Sequence, residues 1–534
     1  MKESFRRSMA WLHTWAGLTF CWILYFMFVT GTLGYFDTEI DHWMEAESPA
    51  PQTTQSASVE QNLSAAVGWL SREAEGADSW FIALPDDRNE PHLRTFWRAP
   101  PPEEEGEERK TGNDRLDSIT GEPLAEAARD TGGGQALYRM HYALHYIDGG
   151  AAFRFIGIVA LFMFIGLVTG VVIHRKIFAD MFTFRGAAPA KRAWLDAHNL
   201  LSVASLPFQL MITYSGLLFT VTTWMPAIAL GSYGFNIERA AEALRVVADV
   251  QVERTGEPAE LAPLMPIVAD AASQWGGEDA IRGLDVRMPG DAAARVSVSR
   301  KAGIGVIAEQ RVYDGVTGQY LETLDPTSRA PIAAASVMLG LHEGLYAGAL
   351  LRWFYFISGL LGAGMVATGA IYWSAKRRRK SVADADHSRG FRFVEAMNIG
   401  TILGLPIAIA AYFWSNRLLP LGLEGRPDWE MHCLFITWGL CLLYPLTRPR
   451  LAAWRELAWL GAGAFAALPV INAATTEVHL INSLRAGDWV LASFDLTALA
   501  FGLIFALTAK KIGGRADSAE RLSPAPQPTE ATAA

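Results

Sequence analysis

The sequence predicts a mainly α-helical membrane protein of about eight transmembrane helices. A four-helix repeat core is followed by four C-terminal helices, with two small α+β domains in the connections. Three observations predict it. Hydrophobic residues make up 51% of the 534-residue chain and charged residues only 19%, and the apolar ones are gathered into long runs. The run from Ala151 to Ile173 is apolar apart from Arg154 and Thr169, long enough to cross a bilayer. That run recurs: the segment beginning GLHEGLYAG at Gly340 repeats the plan of ALHYIDGG, setting His342, Arg352 and Thr368-Gly369 against His145, Arg154 and Thr169-Gly170.

A second pair of segments repeats as well. WLHTWAGL places His13 eighteen residues before Gly31, and WLDAHNLL places His198 eighteen residues before Gly216. The first part of the chain is therefore a two-helix unit used twice. Repeats in membrane proteins commonly put the functional site at their interface.

The elements follow in order. Residues 1–36 start with Lys2, Arg6 and Arg7 like a signal peptide, but the apolar run is too long and lacks a small-residue cleavage site, so it reads as a retained first span. Residues 37–137 form the first α+β domain, helix-like from Val59 to Glu75 with strands at SWFIALP, HLRTFWRA and LDSITGEPL and an exposed Pro- and Glu-rich loop, APPPEEEGEERK. Residues 138–224 hold the second and third spans. Residues 225–340 form the second α+β domain, helix-like from Leu261 to Trp275, with alternating strands at IRGLDVRM, ARVSVSR and VIAEQRVYDGVTGQYL. Both domains end on related turns, Ser118 to Glu122 and Gly315 to Gln319, whose glycines suit a positive φ. The fourth span lies in 341–380, four further helices in 390–511, and a disordered tail in 512–534.

The spans fall at about 9–35, 151–174, 198–224, 346–374, 395–415, 429–446, 455–474 and 487–509. Counted so, five basic clusters share one side: Arg6 and Arg7; Arg175, Lys176, Arg185, Lys191 and Arg192; Lys376 to Lys380; Arg448, Arg450 and Arg455; Lys510 and Lys511. The positive-inside rule then puts both termini in the cytoplasm of a multi-pass membrane protein, with both α+β domains on the outer side.

This topology sorts the histidines by leaflet. His13, His174 and His198 fall at cytoplasmic helix ends; His141, His145 and His342 fall at outer ones. At 1.5 Å per residue, His145 and His174 lie about 43 Å apart along a helix, one at each membrane surface. Histidines from facing helices of a bundle can ligate a haem iron axially, and ionisable residues at membrane depth mark function by default. Gly17, Gly31, Gly170, Gly216, Gly362, Gly364 and Gly369 would let a flat porphyrin approach the backbone, and Arg154 and Arg352 are possible partners of its propionates. Against this stand ordinary roles: an interfacial polar histidine, small residues for helix packing, a snorkelling arginine. The recurrence of His13 with His198, and of His145 with His342, favours ligation. His141 and His174 are the alternates.

Other chemistries find less support. The three cysteines, Cys21, Cys433 and Cys441, sit in or beside apolar runs and form neither a disulfide framework nor a thiolate metal site. There is no GxGxxG after a strand and no Walker loop, so no flavin or nicotinamide site is seen. The net charge of −9 points to no particular partner, and no nucleic-acid partner is expected.

Taken together, WLHTWAGL, ALHYIDGG, WLDAHNLL and GLHEGLYAG, the late Thr-Gly pairs, and DSITGEPL and DGVTGQYL resemble the PepSY-associated transmembrane family over about 1–380. The family includes iron-regulated inner-membrane proteins and ferric-siderophore reductases. The resemblance implies PepSY-like outer domains and b-type haem, two per chain, ligated by His13, His198, His145 and His342. It implies electron transfer from a cytoplasmic or quinone donor to a ferric chelate or siderophore outside. It leaves the last four helices without a role. Two other readings stay open: a cofactor-free regulator whose outer domains bind peptidases or partner proteins, and a metal-ion transporter. Asp495 is the one acidic residue well inside a span that could serve the latter.

Overall fold

The computed structural model describes residues 3–47, 57–86, 91–102, 107–124, 128–174, 190–221, 252–381 and 389–521. In chain order the first elements are α1 (Glu3–Thr19), α2 (Cys21–Gly34), α3 (Asp37–Met44), α4 (Val59–Glu73), β1 (Ser79–Ala83), β2 (Leu93–Arg98) and β3 (Thr111–Leu116). Then come α5 (Gly133–Ala143), α6 (Gly149–Ile173), α7 (Ala190–Phe219), α8 (Leu264–Trp275), β4 (Ile281–Arg287), β5 (Arg295–Arg300), β6 (Gln310–Asp314) and β7 (Tyr320–Leu324). The remainder is helical: α9 (Ala330–Glu343), α10 (Ala349–Ser381), α11 (Arg389–Ile402), α12 (Gly404–Leu418), α13 (Arg426–Leu443), α14 (Arg450–Thr475), α15 (Leu480–Ala486) and α16 (Trp489–Arg521). The chain divides into two compact units. One comprises residues 1–48, 127–213 and 351–534, the other 49–126 and 214–350.

The first unit is the membrane part. Among the described residues, six helical stretches are long and apolar enough to cross a bilayer: Gly149–Ile173, Lys191–Phe219, Ala349–Arg378, Arg389–Leu418, Arg450–Thr475 and Trp489–Gly514. A seventh arises if α1 and α2, bent by 64° across Phe20, are one crossing. Side chains such as Leu440, Leu503, Ile504 and Leu507 are more than half exposed, as suits contact with lipid. The eighth span expected at 429–446 is present as helix α13 but is not among these, because Arg426, Asp428 and Glu430 crowd its first turns. Arg426 and Glu430 are fully buried and pair with each other at 2.6 Å, so protein solvates them. Of the basic clusters, Arg175, Lys176 and Arg185 lie outside the described residues.

The C-terminal helices belong to the same compact unit as the repeat core. Tyr25, Phe26 and Val29 of α2 share one apolar core with Leu405 and Tyr412 of α12, Leu434 of α13 and Phe465 of α14. Phe26 stacks on Trp438 at 5.3 Å between centroids. Polar groups tie the same elements together. Arg417 donates to the carbonyls of Trp43 and Met44 at the end of α3 and to Asn472 of α14, while Arg129 grips the Glu47 carboxylate. Asp37–Met44 and the residues around α5 therefore pack with the membrane helices, although 37–137 reads in sequence as one outer domain. Helix α16 runs on to Arg521, so the tail expected to be disordered from Ile512 begins as helix; Ala516, Ala519 and Glu520 are helix formers that carry it past Gly513 and Gly514. Residues 522–534 lie outside the described residues.

In the second unit, the α+β segments expected from the two connections join in a single sheet. Its seven antiparallel strands run β3-β2-β1-β4-β5-β6-β7, and the two segments meet where β1 pairs β4, with Trp80 opposite Val286 and Ile82 opposite Leu284. Leu63 and Leu70 of α4 and Ile267 and Val268 of α8 are buried with Ile82, Leu284 and Val298. Each such side chain contributes roughly 1.5–3 kcal/mol by leaving water. The third strand of the first segment is TGNDRL; the DSITGEPL stretch expected as a strand is the turn after it. The two turns are built alike. Asp117 Oδ1 accepts the N–H groups of Ile119 and Thr120 at 2.9 and 2.7 Å, and Asp314 Oδ1 those of Val316 and Thr317 at 3.1 and 2.9 Å. Gly121 and Gly318 follow with φ of 70° and 71°, the positive values that only glycine adopts at ease.

Candidate functional site

The repeat fixes the same local arrangement around four histidines. In the membrane unit, His13 of α1 lies against α6: its Nδ1 donates to the Gly166 carbonyl at 2.8 Å, and a β-carbon on Gly170 would stand 3.2 Å from its Cε1. His198 of α7 lies against α10 in the same way, donating to the Met365 carbonyl at 2.9 Å over Gly369, where the corresponding distance is 3.2 Å. His141 of α5 lies against α2, donating to the Met27 carbonyl at 2.9 Å, and a β-carbon on Gly31 would stand 2.6 Å from its Nδ1. In the second unit, His342 of α9 lies over Gly216, with its Nδ1 3.0 Å from Ser215 Oγ and its Cε1 3.0 Å from where a β-carbon would be.

A carbonyl oxygen only accepts, so Nδ1 carries the proton in His13, His198 and His141. Nε2 then holds the lone pair, the state in which imidazole binds a metal. His13 and His198 face each other directly, with ring centroids 6.3 Å apart and planes at 59°. Two axial iron–nitrogen bonds of about 2 Å each would set ring centroids about 6 Å apart. The residues therefore fit a bis-histidine haem. Among the described residues, no group of three or more His, Cys, Asp or Glu side chains is arranged to hold a bare metal ion.

The structure corrects several details of the sequence reading. His145 does not occupy the seat that the repeat assigns it; His141 does. His145 falls in the turn after α5, stacked on Phe435 at 5.8 Å, where burial first, with His432 and Arg139, pushes its pKa below the ordinary value. The sequence signal for this turn is Asp148-Gly149-Gly150: Asp148 caps α6 by accepting the Ala151 N–H at 2.9 Å, leaving residues 144–147 outside both helices. Beside His145, Tyr146 Oη meets His432 Nδ1 at 2.7 Å, a contact the sequence did not suggest. His174 ends α6, its N–H bonded to the Gly170 carbonyl, and among the described residues no glycine lies against its ring. Arg352 is buried and paired with Glu39, so its charge is already matched. Arg154 is exposed near the start of α6. The glycines serve differently from expectation: Gly31, Gly170, Gly216 and Gly369 seat imidazoles, Gly362 packs on Gln209 and Phe28, Gly364 on Leu201, and Gly17 faces open space. Asp495 is held by Trp43 Nε1 and Asn472 Nδ2, each at 3.2 Å.

Facing imidazoles on repeated helices, each seated on a glycine, define a class: multi-pass helical membrane proteins with a histidine-bearing repeat core. Within that class, the chain belongs to the family described as the PepSY-associated TM region, which it matches over residues 10–376. The match ends before α11, so the C-terminal helices lie beyond it. The chain is also similar to an uncharacterized protein of Pseudomonas aeruginosa, 25% identical over 359 residues, which cover 63% of this chain and 84% of that relative.

Proposed function

We propose that this chain is a b-type haem protein of the bacterial inner membrane, both termini cytoplasmic, that carries electrons outward to reduce a ferric chelate such as a siderophore complex. The observation that carries the proposal is the His13–His198 pair, two imidazoles 6.3 Å apart on different helices of the repeat. Haem, when bound, supplies one-electron chemistry within the span. His13 and His198 are the proposed axial ligands of one haem, and His141 and His342 are each proposed as ligands on the strength of the same seat. His145 is the weaker candidate because it lacks that seat.

The chain's own groups do the positioning. The carbonyls of Gly166 and Met365 fix each ring's orientation and keep the proton on Nδ1. Gly170 and Gly369 bring the ring against the helix backbone, where a larger residue would push it away. A cytoplasmic or quinol donor supplies one electron for each Fe(III) reduced. Fe(II) holds hard oxygen ligands less tightly, so reduction releases the metal from the chelate.

The test is an absorption spectrum of the detergent-purified protein made with ample haem supply, oxidised and then dithionite-reduced. A Soret band with sharp reduced α and β bands, followed by reoxidation on adding a ferric chelate, is the expected result. A colourless protein overturns the proposal and leaves the cofactor-free regulator in its place.

A further inference from the structure

Each histidine seat also contains a buried hydroxyl. In the membrane unit, Thr169 Oγ shares its one proton between the Ile165 carbonyl at 2.6 Å and the Gly166 carbonyl at 3.1 Å, the oxygen that accepts His13 Nδ1–H at 2.8 Å, and lies 3.4 Å from Nδ1 itself. Thr368 Oγ donates to the Met365 carbonyl at 3.0 Å, which accepts His198 Nδ1–H at 2.9 Å. Thr30 Oγ reaches the Met27 carbonyl at 3.3 Å, which accepts His141 Nδ1–H at 2.9 Å. In the second unit serine replaces threonine, and Ser215 Oγ itself lies 3.0 Å from His342 Nδ1. All four hydroxyl residues are at most 8% exposed.

A threonine inside a helix commonly turns its hydroxyl onto a carbonyl of the preceding turn, and each of these three also does so. The recurring feature is the shared acceptor. The oxygen that orients the histidine is, in all three threonine seats, the oxygen the hydroxyl also uses. Each ring lies over the glycine one turn beyond that oxygen, and the threonine directly precedes the glycine, so the Thr-Gly pair brings hydroxyl and ring to one acceptor.

We propose that the hydroxyl of each Thr-Gly or Ser-Gly pair is a positioning residue that sets how strongly the histidine donates from Nδ1, and thereby the basicity of Nε2 toward a haem iron. The proposal rests on the haem reading above. Each of these oxygens also takes the helical N–H of the glycine four residues on, so a share of the hydroxyl proton draws further on its acceptor strength and weakens the bond from the ring. Removing the hydroxyl leaves the carbonyl to the imidazole and the helical N–H. A stronger Nδ1–H bond makes the ring a better electron donor and favours ferric over ferrous iron. At Ser215 the sense is opposite. With Nε2 on the iron, Nδ1 carries the proton and the Ser215 oxygen accepts it, so removal weakens donation and favours the ferrous state.

The experiment compares Thr169→Val, Thr368→Val, Ser215→Ala and the conservative Thr169→Ser in the full-length protein. Midpoint potentials are read by spectroelectrochemical titration, and histidine Nδ1–H resonances by nitrogen-15 histidine NMR of the haem-free protein. The two valine variants are expected to move a midpoint to more negative values, Ser215→Ala to move one to more positive values, and Thr169→Ser to stay at the wild-type value. The Nδ1–H resonances of His13 and His198 are expected to shift downfield in the valine variants. Haem bound with unchanged midpoints in the valine variants overturns the proposal and leaves the haem reading standing. No haem in the wild type overturns that reading and the tuning role together. Unmoved Nδ1–H resonances in the valine variants overturn the hydrogen-bond competition whether or not haem binds.

Discussion

His13 and His198 come from different copies of the repeat and face each other with ring centroids 6.3 Å apart. Each is turned toward the other by a hydrogen bond on its far side, from Nδ1 to a carbonyl of a third helix, α6 for His13 and α10 for His198. If this pair holds a haem, His13→Ala and His198→Ala should each remove the same portion of the Soret absorbance, and the double variant should remove no more. His141→Ala should also lower haem content, whereas His145→Ala should leave the spectrum near wild type. Equal losses from His141→Ala and His145→Ala would count against the seat as the mark of a ligand.

The glycine seats give a graded series. A β-carbon at Gly170 or Gly369 meets the ring at 3.2 Å, a contact that a few tenths of an ångström of movement relieves, while at Gly31 it meets His141 Nδ1 at 2.6 Å and the ring must be displaced. Gly31→Ala should therefore cost more haem than Gly170→Ala or Gly369→Ala. Gly17→Ala, which faces open space, should cost none. Haem quantified per chain by the pyridine haemochrome assay reads all four.

The C-terminal helices are joined to the repeat core through buried charge. Arg426 and Glu430 have no exposed side-chain surface, and Glu430 also accepts from Thr131 Oγ at 2.6 Å and Asn416 Nδ2 at 2.9 Å. Glu430→Ala leaves the Arg426 guanidinium buried without its carboxylate, which costs about 3–5 kcal/mol. Thermal unfolding in detergent should show a lowered Tm. The double variant Glu430→Ala with Arg426→Met should recover part of the loss, since it removes the stranded charge.

The paired turns of the sheet carry a pH signature. The Thr120 and Ile119 N–H groups hold the Asp117 carboxyl below its ordinary value. At Asp314, burial pushes upward but is outweighed by the Thr317 N–H and hydroxyl, the Val316 N–H and Arg295. A carboxyl whose folded pKa is depressed adds stability that is complete above its unfolded value, about 3.9, and is lost as pH falls through the folded value. Asp117→Asn and Asp314→Asn should thus lower stability at neutral pH. Their difference from wild type should shrink as pH drops below about 4. Limited proteolysis of the full chain across that range, followed at sites in the sheet, checks this.

How much of this was legible in the sequence follows from the kind of signal each feature leaves. Apolar runs announced the helices because a bilayer demands continuous hydrophobic length, and the histidine-to-glycine spacing announced the repeat because both residues lie along one copy of it. Positive φ at Gly121 and Gly318 was legible for the same local reason. That His141 rather than His145 takes the seat on α2 was not legible, because a one-turn difference in where α5 stops decides which side chain reaches α2, and helix ends are the least sharply written feature of a sequence.

What the sequence determined by itself, then, was the membrane class, the repeat and the set of histidines, all of which rest on composition and on spacing along a single segment. The tertiary structure decided what depends on two distant segments meeting. It brought His13 opposite His198, and placed each ring on a carbonyl and a glycine of another helix. It merged the two α+β segments at β1 and β4 into one sheet, because each would otherwise leave an edge strand unpaired there. It also matched Arg352 with Glu39 and brought Thr131 to the buried Glu430, since a charge removed from water must find its partners wherever packing places them.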